Sequence, residues 1–342
     1  MASLNTVLQY LHRAIPIPII IFGTFGNTFN ILIFTRVTLR RYSCSIYLLT
    51  SSVSNFVVLY CAVLFRVLID GFEIDPTIVS NSVCKLVSYI QYTFPLISSM
   101  FMVLACIDRF AASSSQARWR KFSQKKVTLY TIPLNIIICF IFYIHVPIYF
   151  EVIRIPISET DFMEFCYCQG EYNQFFIVYH MILYSSFQPL LMTVFGLLTL
   201  RNVQRHRRQI NSSLTPSTRI ERRHLQRDRQ MIRLLLFQVL VHVILLIPGS
   251  IIISYQTFIP PSPIISFITG CSIFFIYLSF IQGFYVNTLS AKTYRSEFYK
   301  ILSLIERRLF NSNIIERQLM EGGGLMQETT RVTRRAKKNE RW

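Results

Sequence analysis

The sequence predicts an all-α membrane protein, a bundle of seven transmembrane helices followed by a short amphipathic eighth helix. Three observations carry that prediction. Of the 342 residues, 52% are apolar or aromatic and only 15% are charged, with a mean hydropathy of +0.42, which argues against a water-soluble globule. The apolar residues gather into runs of the roughly 20 residues that a helix needs to cross a hydrocarbon core about 30 Å thick. The formal charge of +18 lies almost wholly between those runs.

The runs are Ile15 to Phe34, Ile46 to Ile69, Lys85 to Ala111, Val127 to Phe150, Phe175 to Leu200, Ile232 to Tyr255 and Ile264 to Leu289. Membrane strands would give short alternating segments instead. Pro16, Pro18, Pro95, Pro133, Pro147, Pro189 and Pro248 fall at or inside the runs, where neighbouring helices re-satisfy the freed carbonyls, and each is an expected kink.

Orientation follows from the basic residues. With the N-terminus outside, the cytosolic side takes Arg36, Arg40 and Arg41, the stretch from Arg109 to Lys126, the stretch from Arg201 to Arg233, and every basic residue after Leu289. Only Arg13, Arg66, Lys85 and Arg154 of the 35 Lys and Arg remain on the other face, among a larger number of Asp and Glu. The first run lacks a small-residue cleavage site and is expected to act as a signal anchor. Residues 1–14 then form an extracellular N-terminus, 15–290 the seven-helix domain, 291–310 the surface helix and 311–342 a disordered cytosolic tail. The implied place is the plasma membrane, crossed many times. Retention by the anionic inner leaflet accounts for most of the basic charge, so membrane lipids are partners. Nucleic acid is not, because the basic residues occupy separate loops.

Cys44, Cys61, Cys106, Cys139 and Cys271 lie within or beside helices, as small apolar residues do. Cys84 instead opens the third helix on the outer, oxidising side, and Cys166 and Cys168 lie in the outer loop after the fourth. A bridge from Cys84 to one of them would pin that loop across the outer mouth. Two cysteines one residue apart leave the choice open, with Cys166 preferred.

Seven spans, an outer cysteine heading the third helix and Asp108-Arg109-Phe110 at its foot resemble the rhodopsin-like (class A) G protein-coupled receptors. Cys84 and Arg109 stand 25 residues apart, as that family's pattern requires. Gly26-Asn27 in the first helix, Pro189 in the fifth, Pro248 in the sixth and Tyr294-Arg295 after the seventh fall in the same register. The chain departs from the pattern at Asn55, where an acid is expected, at Leu245-Leu246-Ile247-Pro248, and at Gly283-Phe284-Tyr285-Val286-Asn287. These changes indicate a divergent branch.

The resemblance implies a receptor that binds an extracellular ligand and activates a heterotrimeric G protein. Asp108, Arg109 and Phe110 would carry coupling, with Asp228 at the foot of the sixth helix as a second acid for Arg109. An ionisable pair at the end of an apolar helix is commonly functional in its own right. Asn27 and Asn55 are expected to face each other and, with Pro189 and Pro248, to shape the core. With Asn55 neutral and Gly283 offering no ligand, the family's sodium pocket loses its anion, and only Ser98 matches.

Gln91 stands where amine receptors carry an aspartate, and Tyr277 where opsins carry a lysine, so simple amines and retinal are disfavoured. Gln91 resembles the neuropeptide receptors, and an acidic outer rim would steer a cationic peptide. Gln91 bonding a neighbouring helix is the competing reading. Gln91, His180, Tyr255 and Tyr277 are the candidate ligand contacts.

In the eighth helix Tyr294, Phe298, Ile301, Ile305 and Leu309 recur every three or four residues among basic ones, the pattern of a helix lying on the inner leaflet. No enzyme constellation is present. The six histidines have no metal-ligand spacing and no glycine-rich phosphate loop occurs, so no cofactor or metal is expected. Two other classes compete with a signalling receptor. One is a ligand-independent or scaffolding receptor-like protein; the other is a seven-helix transporter or channel, which usually shows internal repeats or a charged intramembrane path.

Overall fold

The computed structural model describes residues 2–156, 162–212, 219–258 and 262–310. Among the described residues six helices are long and apolar enough to cross a membrane: α1 (Leu4–Phe34), α2 (Ser43–Gly71), α3 (Asn81–Ser113), α4 (Lys125–Tyr149), α5 (Gly170–Arg205) and, within the longer helix Arg219–Phe258, α6 (Gln230–Ile252). The seventh span, α7, is a pair, Pro263–Ser279 and Gln282–Ser290, bent by 53°. Helix α8 (Lys292–Phe310) follows. The segment expected as an outer N-terminus is itself helical from Ala2 to Ala14, extending α1.

Helix α3 runs through the middle. Leu96, Ile97, Phe101, Met102, Val103, Ala105 and Cys106 are buried along it in the main apolar cluster. Ser80 starts α3 as its N-cap, the hydroxyl accepting the Val83 N–H at 3.2 Å. The outward faces are apolar, with Ile21, Phe22 and Phe25 on α1 and Leu129, Ile137 and Ile141 on α4 all exposed. A water-soluble monomer seldom presents so much; lipid is the solvent such faces suit.

Helix α1 meets α2 and α7 closely at Gly23. A Cβ there would lie 2.5 Å from Ile281 Cγ2 and 2.8 Å from Leu59 Cδ1. Gly23→Val is therefore expected to lower the melting temperature of the purified protein, overpacking of this kind costing about 1–3 kcal/mol. An unchanged melting temperature would sink this account of the contact.

Two spans contain wide π turns, Leu59–Val63 and Val67–Gly71 in α2 and Met181–Phe187 in α5. The last ends just before Gln188-Pro189, where the proline lacks the N–H that would close the preceding turn. Such turns shift the phase of every side chain beyond them and recur at functional sites. Helix α7 breaks at Phe280–Ile281 without a proline, and Asn27 Nδ2 donates to the freed Phe280 carbonyl at 3.3 Å.

The loop after α4 departs from the all-helical expectation. β1 (Glu151–Pro156) pairs antiparallel with β2 (Phe162–Tyr167). Val152, Ile153 and Ile155 suit a pleated ribbon, and Arg154 lies directly opposite Glu164, with Nε 2.5 Å from Oε1.

Helix α8 is bound into the bundle more firmly than an interfacial helix requires. Tyr294 is fully buried, its hydroxyl donating to Asn30 Oδ1 at 2.5 Å, and Phe298 sets its ring edge against Phe29 and Phe284. Glu297, 5% exposed, accepts from Thr38 Oγ1 at 3.2 Å and Lys300 Nζ at 2.8 Å, clamping α8 to the α1–α2 connection. Arg295 Nη1 donates to the carbonyls of Thr288 and Leu289 and caps α7. Ile305 is exposed, whereas the side chain of Leu309 and the expected tail 311–342 lie outside the described residues.

Candidate functional site

At the foot of α3, Asp108 and Arg109 are each 4% exposed. Arg109 donates from Nε at 3.0 Å and Nη2 at 2.5 Å to Asp108 Oδ2, and Ser123 donates to Oδ1 at 2.8 Å. The guanidinium carbon lies 6.0 Å from the centre of the Tyr42 ring. Two adjacent residues on a helix point about 100° apart, so this pair closes only because the arginine stem folds back. Desolvating both charges is costly, and removing one partner typically costs about 3–5 kcal/mol. Met231, Leu234 and Leu235 of α6 are buried in the same apolar cluster, so α6 is seated on the bundle at this end. Phe110 points elsewhere, its ring set against Trp119 and Phe195. Asp228 lies on the same helix as α6, but its side chain is outside the described residues.

At the other end of α3, Cys84 is bonded to Cys166, 82 residues away, and the hairpin is thereby held over the bundle. Cys168 is free and 2% exposed; burial pushes its thiol up to about 11, which leaves it protonated and unreactive at neutral pH. Asn81 Oδ1 accepts the Val152 N–H at 2.8 Å and fastens β1 to the same helix.

Beneath the hairpin, His180 Nδ1 and the Tyr143 hydroxyl lie 2.7 Å apart, while the imidazole stacks on Tyr184 and meets the edge of Tyr92. Tyr277 is 5% exposed and its hydroxyl has no hydrogen-bond partner; the Gln91 amide nitrogen is also buried and unpaired. The reading in which Gln91 Nε2 bonds a neighbouring helix is thus not what the structure has. Tyr255 departs from the expectation. Phe237, Leu240, Ile244, Ile247, Ile251 and Tyr255 are all exposed at three- or four-residue spacing, so Tyr255 ends the outward stripe of α6 and points away from the bundle interior. An aromatic at that height suits a membrane interface.

Sequence reasoning assigned Arg66 to an outer connection. The structure places it inside α2, in the α-helical turn Leu64–Arg66 between the two π segments. The signal was available, because Arg66 falls within the predicted span Ile46 to Ile69, and an ionisable residue inside a span marks a functional position by default.

Between the two ends lies an uncharged polar chain. Asn55 Nδ2 donates to Asn27 Oδ1 at 3.2 Å, Ser98 Oγ donates to Asn55 Oδ1 at 2.5 Å, and the Ser51 and Ser98 hydroxyls lie 3.0 Å apart. A Cβ on Gly283 would stand 3.1 Å from Gln238 Nε2 and 3.3 Å from Asn30 Nδ2, so that glycine makes room for amides of α6 and α1. Pro248 lies inside the helix that contains α6, and Pro189 follows the π turn of α5.

A bundle closed at one end by a loop tied to its central helix, and holding a buried acid–arginine pair at the other, is the architecture of a seven-helix membrane receptor. A family model described as 7 transmembrane receptor (rhodopsin family) matches residues 26–285, from the Gly26-Asn27 pair through the bend of α7. The chain belongs to that family and is a multi-pass membrane protein. Compared with individual curated proteins, it finds no match.

Proposed function

We propose that the chain is a plasma-membrane receptor that takes a peptide ligand from outside at the hairpin end and activates a heterotrimeric G protein at the Arg109 end. The observation that carries the reading is the pairing of the two ends of α3: a disulfide-tethered loop over one and a buried, removable ion pair at the other. In the closed arrangement Arg109 is 4% exposed, so a cytosolic partner reaches it only when the packing around the foot of α3 opens. A ligand that favours the open arrangement need only bind it more tightly than the closed one. The spread of basic residues supports an N-terminus outside and an α8 end in the cytosol, against the anionic inner leaflet. Family membership implies no catalytic activity.

The test is a screen of peptides and non-peptide small molecules on cells expressing the full chain, read by G-protein dissociation, with epitopes at both termini. The N-terminal epitope is expected to label on intact cells and the C-terminal one only after permeabilisation. The reverse labelling, or hits confined to non-peptides, would overturn the corresponding part of the reading.

A sodium prediction follows from the neutral chain Asn27–Asn55–Ser98. Agonist affinity, measured at constant ionic strength while sodium replaces a bulky organic cation, is expected to change less than about threefold, about 0.6 kcal/mol. A tenfold fall that Asn55→Ala abolishes would mean that a cation site persists.

A further inference from the structure

We infer that Arg66 is the anchor for a carboxylate on the extracellular ligand. This rests on the reading of the hairpin end as the ligand-binding mouth. Arg66 has five N–H donors and makes no hydrogen bond among the described residues. Its ionic neighbour is Asp70, with Nη1 3.7 Å from Oδ1, beyond hydrogen-bond reach. Asp70 is itself shared with His12, whose Nδ1 lies 3.9 Å from Oδ2. The contact uses Nη1, so the Nε–Nη2 edge, the one that receives a carboxylate two-pronged, stays open.

Val63, one turn before Arg66 on α2, packs in one apolar cluster with Phe274 and Tyr277 of α7. His12, which shares Asp70, sets its ring 5.0 Å from that of Phe274. Beside this contact of α2 with α7 the Arg66 side chain remains 42% accessible. Two polar groups of the bundle interior also lack partners, the buried Tyr277 hydroxyl and the buried Gln91 amide nitrogen. The acids nearby are committed elsewhere: Asp75 accepts from Thr77, Glu73 from Gln9 and Glu164 from Arg154. Asp70, at 3.7 Å, leaves the guanidinium donors of Arg66 unmet.

A ligand group that accepts hydrogen bonds and carries one negative charge fits this balance. Asp70 already offsets part of the arginine's charge, which favours a singly charged carboxylate over a doubly charged phosphate monoester. For a peptide ligand the group is a free C-terminal carboxylate or an acidic side chain. The acidic outer rim therefore does not dictate a cationic contact inside.

The test uses the purified full chain in lipid nanodiscs with 3-phenylpropionate and, as its neutral counterpart, 3-phenylpropionamide, each at about 10 mM. One two-pronged ion pair supporting millimolar affinity would raise the melting temperature by about 2–4 °C. The acid is expected to give that shift and the amide less than half of it. Arg66→Gln should remove the difference and Arg66→Lys should keep part of it. Equal shifts from acid and amide, no shift from either, or a difference that survives in Arg66→Gln would overturn the inference. The readout does not involve a G protein. A carboxylate preference without coupling would retain this inference and reject the signalling reading, and coupling without the preference would do the reverse.

Discussion

Arg109→Ala is expected to reach the cell surface, at a level lowered by the now unpaired Asp108, and per surface receptor to lose nearly all G-protein coupling, by about 30- to 1,000-fold in potency or maximal signal. The range corresponds to about 2–4 kcal/mol, within what is lost when one member of a buried, hydrogen-bonded charge pair across an interface is truncated. The partner effect distinguishes a switch from a structural ion pair. Asp108 holds the guanidinium at 2.5 and 3.0 Å from a single carboxylate oxygen. Asp108→Asn removes that charge, so basal coupling per receptor at the surface should rise even as the protein becomes less stable. A structural pair predicts instead that both variants lose stability and neither changes signalling per surface receptor. Wild-type coupling in Arg109→Ala would end the assignment.

Much of this geometry was legible because it depends on length and order along the chain. Every span found from its apolar run lies on a helix of the bundle, with ends shifted by a few residues and the largest extension at α1, which begins at Leu4. The separation of Cys84 from Arg109 needs only the helix rise, and both stand at opposite ends of α3. Rotation about a helix was less legible, because hydropathy averages over a window and discards phase. Tyr255 lies within an apolar run whether it faces in or out. Arg66 is one charge in a long apolar run and leaves the average nearly unchanged, and the π turns that flank it reset the phase that a 3.6-residue count would give.

Tertiary partners account for the rest. Glu297 reads as one more exposed charge on a basic helix, and only the fold brings Thr38 and Arg36 to it. The hairpin was missed because strands of six residues inside a loop give no signal comparable to a membrane span, although the alternation Val152-Ile153-Arg154-Ile155 was present. Motif comparison located a departure from the family pattern at Gly283 to Asn287 in α7, but not the break of the helix just before it, where Asn27 takes the Phe280 carbonyl.

The choice between Cys166 and Cys168 yields the second large prediction. In an extended strand residues two apart share a face, so periodicity cannot separate them. The fold does, because β2 ends at Tyr167 and its ladder pairs Cys166 with Val152, above the head of α3, whereas Cys168 is buried beyond the strand. In the chain-entropy treatment, closing a loop of 82 residues removes about 4.5 kcal/mol of unfolded-state freedom. That is comparable to the whole stability of many domains. Cys84→Ala, and Cys166→Ala combined with Cys168→Ala to deny Cys84 another partner, should therefore each cut surface expression severely and lower the melting temperature by several degrees. Cys168→Ala alone should stay near wild type, apart from a small packing loss, because its sulfur carries no bond. Unreduced peptide mapping should recover Cys84 joined to Cys166; recovery of Cys84 joined to Cys168, with Cys168→Ala as damaging as Cys84→Ala, would reverse the assignment and place the hairpin in a different register over the mouth.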